Sequence, residues 1–194
     1  MKKIAVFASG NGSNFEALAA ACARKEIDAE IALMVCDKPG AYVCERAAKY
    51  GVDTFVFKPK SYASKEAFEK EIADRLDACG VELVCLAGYM RIIGSELLSR
   101  YGGRIVNIHP ALLPSFPGAH AIRDSFDFGV KVFGVTIHYV DATLDGGKII
   151  SQAPVTYYGN DIDELETRIH AVEHRLYVAT VNHLLAGTEM PVIA

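Results

Sequence analysis

A doubly wound, mostly parallel α/β sheet is the fold this sequence predicts, and three observations carry that prediction. Near-continuous apolar runs of strand length recur from Ile4 to Ile108, segments of helical spacing separate them, and glycines sit at several of the junctions. The strand-like runs are Ile4–Ala8, Ile31–Cys36, Thr54–Phe57, Leu83–Ala87 and Arg104–Ile108. Their lack of strict polar alternation is the mark of strands covered on both faces. Helical spacing fills Asn14–Arg24, Tyr42–Tyr50, Ser64–Cys79 and Ser95–Arg100. Ser64 is a plausible N-cap ahead of Lys65-Glu66, although Ala67 denies it a full capping box. Gly51 and Gly80 stand where a glycine ends a helix.

The pattern changes after Pro110. Pro114 and Pro117 interrupt Ala111–Gly118, which is therefore an ordered loop rather than a regular element. Val132–Val140 and Lys148–Tyr157 then read as two strands, an antiparallel pair or edge, joined by a long turn at Asp141–Gly147. Asp161–Leu185 reads as one long amphipathic helix. With no internal repeat, low-complexity stretch or linker, one domain over residues 1–194 is expected.

Composition narrows the function classes. Half the residues are apolar, 51%, so a core burying about 70% of the unfolded chain's surface is attainable without disulfides or metal staples. The net charge of −4 comes without a block of like charges, which argues against a nucleic-acid or membrane-surface partner but leaves room for a small anion. The five cysteines, Cys22, Cys36, Cys44, Cys79 and Cys85, form no Cys-x-x-Cys pair, and a reduced compartment is the simplest reading. The apolar run near the N-terminus is too short for a signal sequence and nothing approaches a membrane span, so a cytoplasmic location is expected.

Three motifs carry chemistry. Gly10-Asn11-Gly12-Ser13-Asn14 lies between the first strand and the first helix, where glycines let the backbone approach a ligand and a helix N-terminus suits a phosphate. Phe15 stands where a dinucleotide fingerprint needs its third glycine, and no Gly-Lys-Ser/Thr follows for a Walker loop. A plain tight turn is the alternative. The second motif, Asn107-Ile108-His109-Pro110, falls at the carboxyl end of the fifth strand, and alternation puts Asn107 and His109 on one side. An amide and an imidazole there suit a carbonyl becoming an oxyanion, whereas the alternative is a strand-end histidine bonded to the next loop. Asp145, before Gly146-Gly147, suits a turn; folded back toward His109, its carboxylate would raise the imidazole pKa and keep it a donor.

Other histidines carry less. His138 in a strand reads as a core or supporting group, and His120 follows the proline loop with no assigned partner. His170 and His174 share a helix face at i, i+4, but no third ligand at suitable spacing completes a zinc site, and no metal is expected.

Gly10–Asn14, Gly88-Tyr89-Met90-Arg91-Ile92, Asn107–Leu113 with Pro117-Gly118, and Gly134–Gly147 together resemble, in order and spacing, the phosphoribosylglycinamide (glycinamide ribonucleotide) formyltransferase family. The resemblance runs over essentially the whole chain. It implies a Rossmann-like formyltransferase fold and transfer of a formyl group from 10-formyltetrahydrofolate, a co-substrate, to the amine of glycinamide ribonucleotide in purine synthesis. By resemblance Asn107, His109 and Asp145 form the catalytic set. Gly12, Ser13 and Asn14 hold the ribonucleotide phosphate, and His170 and Glu173 lie near its glycinamide end. Met90, Arg91, Ile92, Ile93, Asn107, Asp141, Ala142, Thr143, Leu144 and Asp145 line the folate pocket, with Lys65 touching the folate. Partners are then small molecules only, and the chain is a monomer or a homodimer.

Rival readings remain. A 10-formyltetrahydrofolate hydrolase or another folate-dependent formyltransferase shares the Asn, His and Asp set. Related hydrolases usually carry an N-terminal regulatory domain, and methionyl-tRNA formyltransferases a C-terminal extension, so neither is expected here. A nucleotide-binding oxidoreductase rests only on Asp37 after the second strand, and a non-catalytic phosphate-binding module would be indifferent to His109 and Asp145.

Overall fold

Lys2–Ala8 forms β1, an interior strand, and from Ile4 onward its side chains are covered on both sides: Ile4, Val6 and Ala8 face one core, Ala5 and Phe7 the other. The computed structural model describes residues 1–187. After β1 the chain runs through α1 (Ser13–Ala23), β2 (Ala29–Cys36), α2 (Val43–Lys49), β3 (Thr54–Val56), a 3-10 turn at Pro59–Ser61, α3 (Lys65–Cys79), β4 (Leu83–Leu86), α4 (Ser95–Tyr101) and β5 (Ile105–His109). It continues through α5 (Ala121–Phe128), β6 (Val132–Tyr139), β7 (Ile149–Thr156) and α6 (Ile162–Ala186).

The seven strands form one sheet in the order β3-β2-β1-β4-β5-β6-β7. β1 to β5 are parallel, and β6 and β7 add antiparallel at one side. The chain first winds outward from β1 to β3 and then returns to place β4 on β1's other side. That reversal opens a crevice at the carboxyl ends of β1 and β4, where ligands of open α/β sheets bind. One apolar core packs α1, α2 and α6 on one face of the sheet; the other packs α3 and α4 on the opposite face.

Local chemistry sets the helix ends. Ser64 Oγ accepts the Ala67 N–H at 3.2 Å and so caps α3, which ends on Gly80 at φ 71°. Asp161 accepts the N–H groups of Asp163 and Glu164 and caps α6. β1 starts at Lys2 and β2 at Ala29, ahead of their apolar runs, because ladder pairing continues there with Lys2 opposite Ala29. β5 reaches one residue beyond expectation, so His109 is itself a strand residue. The short helix α5 was not expected from the sequence. Its eight residues are amphipathic, with Ala121 and Ser125 buried and Ile122 and Phe126 packed against the core, but two turns beside a proline loop are too short for spacing alone to mark a helix. No helix among the described residues is long and apolar enough to cross a membrane.

Candidate active site

A cavity of about 590 Å³ opens at the carboxyl ends of β1, β4 and β5, within the range typical of small-molecule sites. The switch point is clasped by the Ser9 N–H, which donates to the Gly88 carbonyl at 3.0 Å. Every residue the sequence assigns to substrates or catalysis lines this cavity except Lys65 and Ala142.

Gly10–Asn14 forms the cavity's first wall. Gly12 takes φ 78° and closes on α2, where a Cβ would lie 2.5 Å from Val43 Cγ2, so glycine is required on two counts. The first intrahelical bond runs from Glu16 N to Gly12 O at 2.9 Å, and no side chain caps the amides ahead of it. Those amides, with the helix dipole, suit an anion. Arg46 braces the loop from outside: Nε donates to the Asn11 carbonyl at 2.9 Å, Nη2 to Asn11 Oδ1 at 3.0 Å, and Nη1 pairs with Glu16.

Asn14 joins this loop to α6. Its Nδ2 donates to Glu173 Oε2 at 3.2 Å, and His170 Nδ1 meets the same oxygen at 2.7 Å. Glu173 is buried, and its hydrogen bond pushes the His170 pKa up from the ordinary histidine value. Asn14 Oδ1 is buried without a protein partner, the state of an acceptor that a ligand N–H would satisfy.

The second wall comes from β5, β6 and two loops. Antiparallel register sets Asn107 opposite His138 and His109 opposite Thr136. Asn107 Nδ2 lies 3.2 Å from His138 Nε2, and the His138 ring meets its neighbour's carbonyl, Tyr139 O, at 2.9 Å through Nδ1. A carbonyl can only accept, so Nδ1 carries the hydrogen and Nε2 receives the amide. Burial lowers the His138 pKa, which keeps that ring neutral. His109 Nε2 meets the Phe116 carbonyl at 2.8 Å and therefore carries a hydrogen; its Nδ1 faces Asp145 Oδ2 at 3.6 Å.

Asp145 does fold back. One oxygen accepts the Gly118 N–H at 2.8 Å and the other lies 3.8 Å from His138 Nε2. It sits at φ 49°, a conformation Asp tolerates better than most residues, with glycines required after it: a Cβ on Gly147 would run into the Tyr139 carbonyl. The proline loop is pinned from below by the fully buried Thr136, whose Oγ1 donates to Ala111 O at 2.7 Å and accepts from Leu113 N at 3.0 Å. Gln152 Nε2 bonds both Leu113 O at 2.9 Å and Thr136 Oγ1 at 3.0 Å.

The cavity's rim is apolar. Met90, Ile92 and Leu144 are each about 60% exposed, an unusual concentration that marks a surface meant to be covered, while Ile93 is buried beneath it. Arg91 bonds the buried Asp37 through Nε at 2.6 Å, which disposes of Asp37 as a ribose-binding acid. Asp141 ties the turn by accepting the Thr143 N–H at 2.8 Å and hydroxyl at 2.5 Å. Lys65 instead lies 3.7 Å from Glu69, whose carboxylate accepts the Gly94 N–H at 2.7 Å. The sequence reads His138 as a core or supporting group, which is how it stands beneath Asn107, and gives Thr136 no role. Only the strand register, which needs the pairing partner, brings them under Asn107 and the proline loop. No cluster of three or more His, Cys, Asp or Glu groups placed to hold a metal occurs among the described residues.

Residues 2–181 match the family model described as formyl transferase. The chain is 52% identical over 186 residues to the phosphoribosylglycinamide formyltransferase of Bacillus subtilis, covering 95% of each. It superposes with TM-score 0.93 on the glycinamide ribonucleotide transformylase 1 of Geobacillus kaustophilus, at 53% identity over 95% of this chain and 99% of that one. The phosphoribosylglycinamide formyltransferase of Bacillus halodurans gives the same TM-score at 49% identity, covering 97% of both chains.

Proposed function

The chain belongs to the formyl transferase family, and from that premise we propose that it moves the formyl group of 10-formyltetrahydrofolate onto the amine of glycinamide ribonucleotide. One observation carries this reading: the uncapped amides of α1 and the Asn107, His109 and Asp145 side chains line a single cavity. A phosphorylated acceptor and a carbonyl-bearing donor can therefore be held side by side.

The ribonucleotide phosphate rests on Gly12, Ser13 and Asn14, and Glu173 with His170 faces the glycinamide end. The apolar rim of Met90, Ile92 and Leu144 suits a flat ring system, with Arg91 a cation for its acidic tail. The amine nitrogen attacks the formyl carbon, and the carbonyl oxygen becomes an oxyanion. Asn107 offers its second amide hydrogen, since the first is engaged by His138. His109 offers Nε2–H, which in the resting site is held by the Phe116 carbonyl. The Asp145 carboxylate, facing Nδ1 across 3.6 Å, complements positive charge on the ring as it carries a proton. Collapse breaks the bond from the formyl carbon to the folate nitrogen, and the proton lost by the attacking nitrogen ends on that departing nitrogen. The formyl group arrives already activated, so the assigned step uses no metal.

The test is formyl transfer from 10-formyltetrahydrofolate followed by absorbance, with and without glycinamide ribonucleotide. Turnover that requires the ribonucleotide is expected. Deformylation at an equal rate without it would move the assignment to a hydrolase, and no folate turnover in either condition would end it.

A further inference from the structure

Asp37 follows directly on β2 and is only 4% exposed. A carboxylate persists there only when its oxygens are bonded. Both are: Oδ1 accepts the Ser9 hydroxyl at 2.5 Å, and Oδ2 accepts Arg91 Nε–H at 2.6 Å. Ser9 Oγ in turn accepts the Met90 N–H at 2.9 Å. Because the serine proton is committed to Asp37, the direction of the relay is fixed, from the Met90 amide through the hydroxyl to the acid. Ser9 immediately precedes the glycine loop, while Met90 and Arg91 line the cavity. A single buried acid thus joins the ends of β1, β2 and β4 at the switch point.

A free arginine at a cavity wall samples many rotamers, and ordering it on binding costs affinity. Here Nε is already anchored, and Phe68 lies beneath the guanidinium with its ring centroid 5.9 Å from Cζ. We propose that Asp37 is a positioning residue for the co-substrate: it pre-aims Arg91 at an anionic tail and locks the Met90–Ile93 segment to the glycine loop. The naming of that co-substrate rests on the formyl-transfer reading; the clamp itself does not. Asp37 touches none of Asn107, His109 or Asp145, so its effect falls on binding.

The decisive variant is Asp37→Asn, whose amide keeps the shape but can accept only one of the two bonds. Its KM for 10-formyltetrahydrofolate should rise about tenfold, the worth of one charge-assisted bond, with kcat within about twofold. Ser9→Ala removes the Met90 arm together with the hydroxyl bond to Asp37 Oδ1, leaves the Arg91 bond in place, and should raise the same KM by about threefold. Added to Arg91→Gln, Asp37→Asn should change KM by less than about twofold, because both act through one bond. An unchanged folate KM, a fall in kcat alone, or additive effects in the double variant would overturn the proposal. The clamp is also read without turnover, from hydrogen exchange of Arg91 Nε–H by NMR in wild type, Asp37→Asn and Ser9→Ala. Exchange at least tenfold faster in Asp37→Asn supports it, and equal exchange overturns it. Loss of transfer in the wild type would instead fault the formyl-transfer reading and leave this measurement to decide the clamp.

Discussion

The parallel and antiparallel halves of the sheet build their walls of the cavity from different materials. On the parallel side, β1 hands over to α1 through Gly10–Asn14, and the wall offers backbone amides that need only glycine's freedom at Gly12. On the antiparallel side, β5 and β6 offer side chains: Asn107 against His138, and His109 facing Asp145 across the proline loop. A backbone wall suits a full, permanent charge such as a phosphate. A side-chain wall suits charge that appears and disappears during a reaction, because imidazole and carboxylate can trade protons. The two halves should therefore answer to mutation in different kinetic constants.

Asp145→Asn separates them most sharply. The amide can still accept the Gly118 N–H, so the turn survives while the carboxylate charge facing His109 is lost. We expect kcat to fall about a hundredfold or more with little change in either KM. Steady-state rates at saturating substrates decide it; a pure KM effect would erase the division of labour. Gly12→Ala attacks the other wall. A side chain at φ 78° costs about 1–2 kcal/mol before the clash with Val43 is counted. The KM for glycinamide ribonucleotide should rise at least about tenfold, with the folate KM held and a lower melting temperature from calorimetry.

These walls were unequally legible in the sequence. The glycine loop could be read because its requirement is local: a strand, two glycines and a helix start within a few residues. The parallel strands were legible for the same reason, each being an apolar run needing no knowledge of its neighbours. Asn107 and His109 could be placed on one side of a strand by alternation, but their partners could not. His138 lies opposite Asn107 only because β6 pairs antiparallel in that register, and Asp145 approaches His109 only because the Asp141–Gly147 turn folds inward. Asp37 was visible but was considered for another chemistry, since Arg91 and Ser9, the residues that engage it, come from distant segments. Long-range pairing, not residue type, hid these relations.

Thr136→Val sharpens the comparison within the antiparallel half. The substitution nearly preserves volume but removes a buried hydroxyl that serves Ala111, Leu113 and Gln152. Leaving those groups short of partners should cost about 1–2 kcal/mol of stability, measured by urea unfolding. The proline loop that carries Phe116 and Gly118 should loosen with it, and kcat should fall by less than for Asp145→Asn. A variant as stable as wild type would mean that the loop is held by its own packing rather than by Thr136.

The smallest effect expected is on stability against pH, and its sign differs between the two walls. Burial lowers the His138 pKa from 6.5, so as pH falls through that value the unfolded chain takes up a proton the folded ring refuses. Stability present above about 6.5 is therefore lost on acidification. His170 behaves oppositely: Glu173 raises its pKa, so its contribution is complete below about 6.5 and is lost as pH rises through the raised value. His138→Gln should reduce the acid-side fall in melting temperature by about 2 °C or less, without abolishing it, because burial lowers the His174 pKa as well. His170→Gln should flatten the alkaline side instead. Melting curves between about pH 5 and pH 8 distinguish the two, since equal slopes in both variants would show that neither ring's titration is coupled to folding.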